Sequence, residues 1–435
     1  MHLENIIILV SATLLISYIS SLFYTVTKIP DVIFLMGFGI LMGPGLGYVS
    51  KGLFAELAPI MSIIALSIIL FEAGINVKIE TLMEHMGKAM ILSLTTIFSA
   101  IVLVGFSMNY IFMPESFTLL QGMLLGAMIG GTSTVAVYGI MEGIGHSVEN
   151  IISTRVLLTM ESIISDPVCI ISSITLIQMI MQPGVSLSEA FKDIFSTFTL
   201  SSAFGLFSGI VWAKVLDRLR KRPHTYMITL AILFPLYILA EEVIGEGGGA
   251  MAALSFGLGI TNYRYLMGKF GVQDKVLIDA RRLREFHEEI TFFVKSFFFV
   301  YIGVVVSLSI RFAFIGFSVV ILLVAMRFFL VLGLSKPFMF TREERVLSQV
   351  VYASGLPAFV MSQLPEIFDP TGKFFLTPGI YPDLCMPIVL GTIIFSGLIG
   401  PVFAKRAIDE EIRVGKEGQK ENNIEGNQKE NGSPK

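Results

Sequence analysis

Residues 160–171 read MESIISDPVCII and place Glu161, Ser162, Ser165 and Asp166 inside an otherwise apolar run. An ionised carboxylate at membrane depth is costly unless paired or hydrated, so such residues mark ion pathways and proton relays. Ser162, Ser165 and Asp166 lie three and four residues apart and share one helical face. Glu161 stands five residues before Asp166, about 140° around a helix of 3.6 residues per turn. The two carboxylates therefore face different neighbours and serve different roles. Pro167 frees the carbonyl of Ile163 and is expected to loosen the helix beside Asp166. Hard oxygen ligands of this kind suit Na⁺ or Li⁺ and offer nothing to a transition metal. Desolvation penalises the bare charge, so a lone carboxylate is neutralised by a proton or by a small cation, rarely by both. Competition between the two for one site is itself an exchange chemistry.

The remaining charges in apolar surroundings have to be placed around this stretch. Arg327, in VAMRFFLVLG, needs a counter-charge, and Glu161, facing away from Asp166, is the natural candidate. Glu72, in LFEAGIN, is either a ligand or an acid at the membrane rim. Lys295, in FFVKSFFFVYIG, either snorkels to the interface or borders the site. Glu241, Glu242 and Glu246 gather at the opposite rim, as a cation funnel or as solvated surface. The only cysteines, Cys169 and Cys385, fall in apolar segments and read as packing residues rather than a disulfide framework.

The elements that must position these groups follow from composition. The chain of 435 residues is 54% hydrophobic and 15% charged, with mean hydropathy +0.77, which describes an all-α polytopic membrane protein. Apolar runs occupy 5–26, 32–49, 57–76, 89–113, 118–141, 151–181, 191–214, 225–244, 248–263, 289–310, 312–335, 345–365 and 384–404, about thirteen spans. The first run lacks a basic leader and reads as a span rather than a cleaved signal. Basic residues concentrate in alternate loops: Lys28; Lys78 and Lys88; Lys214 to Arg222; Arg264 to Arg284; Lys336, Arg342 and Arg345; and Lys405 and Arg406. The intervening loops hold only Lys51, Lys192, Arg311 and Lys373. The positive-inside rule then sets the N-terminus outside and the C-terminus in the cytoplasm of a cell-membrane protein. The basic 264–284 segment reads as an interfacial connector. Residues 1–408 form the membrane domain, and 409–435 are a polar, disordered cytoplasmic tail.

An odd number of spans means that spans 1–6 and 8–13 start on opposite sides of the membrane, an inverted repeat. Helices broken at mid-membrane are then expected in spans 5 and 12. Span 5 contains MIGGTSTV (128–135) and span 12 contains YASGLPAF (352–359), with Gly355 and Pro357. Unwound ends would offer half-charges and free carbonyls to a cation.

Several function classes are excluded. No GxxxxGK[ST] loop is present, so any transport is driven by ion gradients and needs no cofactor. An aspartyl hydrolase needs a second mid-membrane Asp. A serine hydrolase needs a Ser/His pair, whereas His2, His85, His146, His224 and His287 map to loops or span ends. The net charge of −3 says little about partners, because most charges sit in loops and in the tail; membrane lipid is the expected partner, and no nucleic-acid partner is expected. A Na⁺-coupled organic anion symporter remains as the rival transporter, and it would need a roomy polar cavity.

These residues together resemble the monovalent cation:proton antiporters, in particular the NhaP-like branch related to animal Na⁺/H⁺ exchangers, over roughly 5–404. Glu161-Ser162-Ile163-Ile164-Ser165-Asp166-Pro167 is similar to the family's E-S-x-x-N-D-P element. The resemblance implies Asp166 as the ion- and proton-binding carboxylate, Ser162 as a ligand, and Glu161 paired with Arg327. It implies Glu72 as a second acidic ligand and the backbone carbonyl of Thr132 as another. It also implies a homodimer, with core spans at about 57–181 and 289–404 moving in an elevator-like manner against a scaffold. The expected activity is exchange of Na⁺ or Li⁺ for H⁺, with K⁺ as the alternative cation. Two positions depart from the pattern. The family's T-D-P reads Thr132-Ser133-Thr134, so the acid at the crossing is missing, and the Asn before the key Asp is Ser165. A single Asp on this face fits electroneutral exchange of one cation per proton.

Overall fold

The computed structural model describes residues 3–27, 31–49, 51–133, 137, 151–181, 187–220, 222, 224–245, 247–271, 276–306, 309–400 and 402–406. Every regular element among these residues is helical. Seven of the helices are long and apolar enough to cross a membrane, and four apolar helices are shorter.

In chain order the first half contains α1 (Leu3–Thr27), α2 (Asp31–Ile40), α3 (Lys51–Asn76), α4 (Ile79–Ser107), α5 (Leu119–Ile129) and α6 (Ile151–Met181). The second half contains α7 (Leu187–Leu219), α8 (Thr225–Val243), α9 (Gly248–Thr261), α10 (Tyr263–Lys269), α11 (Ala280–Val305) and α12 (Ile310–Ser335). It closes with α13 (Arg342–Val350), α14 (Leu356–Ser362), α15 (Leu364–Phe368) and α16 (Ile380–Ile394). Each apolar run read from the sequence contains a described helix, and the 264–284 segment supplies α10 and the start of α11. Thr134 and the 409–435 tail lie outside the described residues.

Two helices stop short for reasons visible in their sequences. α5 begins on a capping box between Thr118 and Gln121 and is buried on nearly every side. A helix apolar all round belongs in an interior. It ends at Ile129, where Gly130, Gly131, Thr132 and Ser133 leave the helix; successive glycines are poor helix formers. α13 begins on a second capping box, Thr341 with Glu344, and ends at Val350. Residues 351–355 are non-helical, with Val351 and Gly355 extended, before Pro357 opens the first turn of α14, where a missing N–H costs nothing. These are the interruptions expected in the fifth and twelfth runs.

Packing sorts the helices into two groups. In one, α4 lies against α5 and α6, while α12 lies against α16, α13 and α4. In the other, α9 is wedged between α7 and α3, and α11 packs on α2 and α3. The short, Gly-rich α9 reaches this depth through close backbone approach: a Cβ on Gly209 would stand 3.0 Å from the Cα of Gly259. Thus α3 and α11, which the sequence reading places with the core spans, have their main neighbours in the second group. The groups meet where α6 touches α7 and α9, and where α14 touches α3.

Candidate functional site

The site is built where the two interrupted helices cross. Breaking α5 leaves the carbonyls of Met128 and Ile129 without the amides that would continue the helix. The amide of Thr132 donates instead to Ser165 Oγ (3.1 Å), and that of Ser133 to the carbonyl of Ala353 (2.7 Å). The carbonyl of Ile129 accepts from Ser354 Oγ (2.7 Å) and from the Tyr352 hydroxyl (3.1 Å). The second break is satisfied in the same way. The amide of Tyr352 donates to Ser396 Oγ (3.0 Å) and that of Ser354 to Thr392 Oγ1 (3.1 Å). Each interruption thus supplies partners for the other. A Cβ on Gly355 would stand 3.1 Å from Ser133 Cβ, so this crossing favours the smallest residue.

α6 carries the chemical groups past this crossing. Ser162 Oγ donates to the carbonyl of Thr132 (2.7 Å), and Ser165 Oγ donates to the carbonyl of Ser162 (2.9 Å). Thr132 Oγ1 is buried and has no hydrogen bond among the described residues. Asp166 Oδ1 lies 3.7 Å from where a Cβ of Gly131 would be. The Asp166 carboxylate is only half-buried and makes no hydrogen bond or ion pair among the described residues. Ser162, Ser165, Asp166 and Thr132 are therefore together at the crossing. The helix is not broken at Pro167: α6 runs through it. The element continues through the proline with α4 and α5 packed against it.

Five residues earlier, Glu161 has the opposite surroundings. Its two oxygens accept from Arg327 Nη1 (2.5 Å) and Nη2 (2.7 Å). Arg327 Nη1 also donates to Thr96 Oγ1 (2.7 Å), and its Nε to the carbonyl of Ser348 (2.7 Å). That carbonyl is free because the amide four residues on, at Tyr352, has turned to Ser396. Both side chains are fully buried, so the pair ties α6, α12, α13 and α4 with its geometry complete.

Asp166 opens onto a cavity of about 650 Å³. Glu72, Asn76, Arg155, Arg284, Glu288 and Lys295 contribute to its wall. Glu72 therefore faces the same space as Asp166, but its charged neighbour is Lys295, with Nζ 3.8 Å from Oε2. Lys295 borders the site rather than reaching away from it. The cavity extends toward the end of the molecule where α3 finishes and α6 and α11 begin. Asn262 bonds Ile79 N (2.9 Å) and the carbonyl of Val77 (2.8 Å) there, bringing the basic 264–284 segment to the same end. At the other rim Glu241 is a cap, accepting from Gly247 N and Gly249 N (both 2.8 Å), while Glu242 is exposed. Glu246 lies outside the described residues.

Sequence reasoning missed Thr96, Ser348, Tyr352 and Ser354. The hydroxyls of YASGLPAF were the one available signal, because polar groups beside a helix break tend to satisfy it.

Two interrupted helices crossing beside an acid-bearing helix define a polytopic membrane architecture of the secondary-transporter kind. The chain belongs to the sodium/hydrogen exchanger, transmembrane family, whose pattern matches residues 11–406. It is 26% identical over 313 residues to the Na⁺/H⁺ antiporter ApNhaP of Aphanothece halophytica, covering 69% of this chain and 54% of that protein. It is 22% identical over 413 residues to the K⁺/H⁺ antiporter NhaP of Alkalimonas amylolytica, covering 92% and 67%. The chain spans about half the length of the first relatives it matches. Its fold is similar to that of the sodium proton antiporter MjNhaP1 from Methanocaldococcus jannaschii, with a TM-score of 0.71 at 17% identity, covering 92% of this chain and 97% of that one.

Proposed function

We propose that the protein exchanges a monovalent cation, Na⁺ or Li⁺, for protons through alternate occupancy of Asp166. The observation that carries this reading is an unpaired carboxylate beside three oxygen-bearing groups at a helix crossing, with an open cavity in front of it. Ser162, Ser165 and the Thr132 carbonyl are the companion ligands, and Glu72 contributes from the facing wall. Glu161 and Arg327 hold the frame and take no part in exchange. One titrating carboxylate carries one charge, so one cation replaces one proton and the cycle is electroneutral. K⁺ is the alternative cation, since the relatives include both Na⁺/H⁺ and K⁺/H⁺ antiporters.

Alternating access would move the group containing α4–α6, α12–α14 and α16 against the group containing α3, α7–α9 and α11, with the latter as the interface of a homodimer. This grouping follows the packing and shifts α3 and α11 to the scaffold. The cavity mouth shares its end with the basic loops, which the positive-inside rule assigns to the cytoplasm.

Coupled uptake of an organic anion draws on the cavity's volume and on Arg155, Arg284 and Lys295. Glu72, Asp166 and Glu288 match these three charges, leaving the wall near neutral and favouring a small cation. In proteoliposomes, a Na⁺, Li⁺ or K⁺ gradient should move protons into or out of the lumen, and Asp166→Asn should reduce that flux to the protein-free level. Full activity in Asp166→Asn removes the proposal.

A further inference from the structure

Away from the Asp166 cavity, a second and smaller cavity of about 160 Å³ lies at the basic end, between the α7–α8 turn and the chain entering α11. Arg220, Arg222, His224 and Arg282 line it, against one carboxylate among the described residues, Asp279. That carboxylate is already engaged, accepting from Arg282 N (3.2 Å) and lying 3.4 Å from Arg282 Nε. The other nearby acid, Asp217, accepts from Leu277 N (3.1 Å). The guanidinium groups of Arg220 and Arg222 have no hydrogen bond or ion pair among the described residues.

The cavity is built rather than incidental. Thr225 Oγ1 donates to the carbonyls of Leu219 (3.0 Å) and Arg222 (2.8 Å), closing the turn that presents both arginines. His224 holds a left-handed backbone there, with φ 60°, a conformation that costs a side-chain-bearing residue energy. Leu277, on the cavity wall, is exposed, as is Phe270 nearby in sequence. Along the two helices away from this turn, α7 exposes Phe207 and Val211, and α8 exposes Met227 and Ile228. Guanidinium groups left unmatched among the described residues, beside exposed hydrocarbon, fit a ligand with a phosphate head and an apolar body.

We propose that this cavity binds the phosphodiester headgroup of an anionic phospholipid, with Arg220, Arg222 and Arg282 as its phosphate donors. The site is separate from ion exchange, and its test does not read transport. Trp212, the only tryptophan in the chain, sits on α7 one turn before Leu216 of the cavity wall and donates to Thr229 Oγ1 (3.0 Å). Its fluorescence reports lipid there directly. The full chain is reconstituted in phosphatidylcholine containing a minor fraction of either dibrominated phosphatidylglycerol or dibrominated phosphatidylcholine.

The expected result is stronger quenching by the anionic lipid. That excess should vanish in the triple variant Arg220→Gln, Arg222→Gln, Arg282→Gln, and remain when the same three are changed to Lys. The relative affinity lost should be on the order of a hundredfold, from the attraction of three basic groups to an anionic head. Arg281→Gln, an exposed residue paired with Glu285, should leave the excess intact. An unaltered Trp212 emission spectrum without brominated lipid verifies that each variant is folded. Persistent excess in the triple variant, or equal loss in Arg281→Gln, overturns the proposal. Displacement of the lipid by inorganic phosphate assigns the site to a soluble anion and overturns it as well.

Discussion

Glu161 and Asp166 are both carboxylates, five residues apart on one helix, and the fold treats them in opposite ways. Glu161 is sealed between two guanidinium nitrogens, with every partner supplied by protein. Asp166 is given a lining of neighbouring oxygens and an open cavity whose basic groups stand back from it, with no direct ion pair among the described residues. A buried pair contributes little net stability against apolar replacement, yet breaking it isolates a charge at high cost. An unpaired carboxylate beside water is a reservoir of binding energy for whatever cation arrives. The difference lies in rotation around the helix. One face meets Arg327, and the other meets the place where two helices have been interrupted.

The most drastic way to break this contrast is to neutralise the exposed member. Asp166→Asn should remove exchange while leaving folded yield and thermal stability close to those of the parent, because no protein partner is lost. Neutralising the sealed pair should do the reverse. Arg327→Ala leaves Glu161 buried and alone, and should cost about 3–5 kcal/mol, seen as a lower unfolding midpoint in detergent and reduced folded yield. The double variant Glu161→Leu, Arg327→Met should recover much of that loss; a double variant as unstable as the single one would point to Thr96 and Ser348 as the true source of stability.

A subtler change sharpens the comparison from the Asp166 side. Ser162→Ala removes the donor to the Thr132 carbonyl and, with it, a proposed ligand. At about 1 kcal/mol for one neutral hydrogen bond, the apparent KM for the cation should rise roughly fivefold, with maximal flux retained. An unchanged KM would exclude Ser162 from the ligand set.

Asp369 provides a smaller calibration outside the membrane helices. Burial opposes its ionisation, but the amides of Phe375, Phe374 and Lys373 and the Thr371 hydroxyl outweigh it and hold the carboxyl below the usual range. A group with a depressed folded pKa contributes its stability above the unfolded value, about pH 4, and loses it as pH falls through the folded value. Asp369→Asn should therefore lower the unfolding midpoint slightly at neutral pH, by about 1–2 kcal/mol at most, and make no difference in strong acid. Thermal scans across pH test the sign.

Much of this arrangement was legible because some residues demand an explanation wherever they occur. Arg327 in an apolar run had to find an acid, and the helical angle between Glu161 and Asp166 indicated which one. Gly130-Gly131 and Gly355 with Pro357 marked where helices would stop. What sequence does not display is which backbone acceptor a break sets free. Ser348 lies well outside both motifs, and its carbonyl is available to Arg327 only because Tyr352 N has turned to Ser396. Pro167 lies inside a continuous helix, so the weakness it introduces there does not end the element. The pairing of Lys295 with Glu72 depends on how α3 and α11 lie together, which neither segment encodes alone. The same holds for their main contacts, which lie outside the spans that a division by sequence position suggests.

The reciprocal bonding of the two interruptions also limits how the molecule can move. An unwound stretch inside a membrane helix resembles a hinge, a place where the chain has slack. Here Thr132 and Ser133 have given their amides to α6 and to the other break, while Ile129 holds two hydroxyls in return. Bending at either break would strand polar atoms in hydrocarbon. The crossing is therefore a rivet. Any displacement that carries Asp166 from one face of the membrane toward the other has to carry both breaks with it as cargo, and compliance must come from the thinner seams where α6 meets α7 and α9, and α14 meets α3.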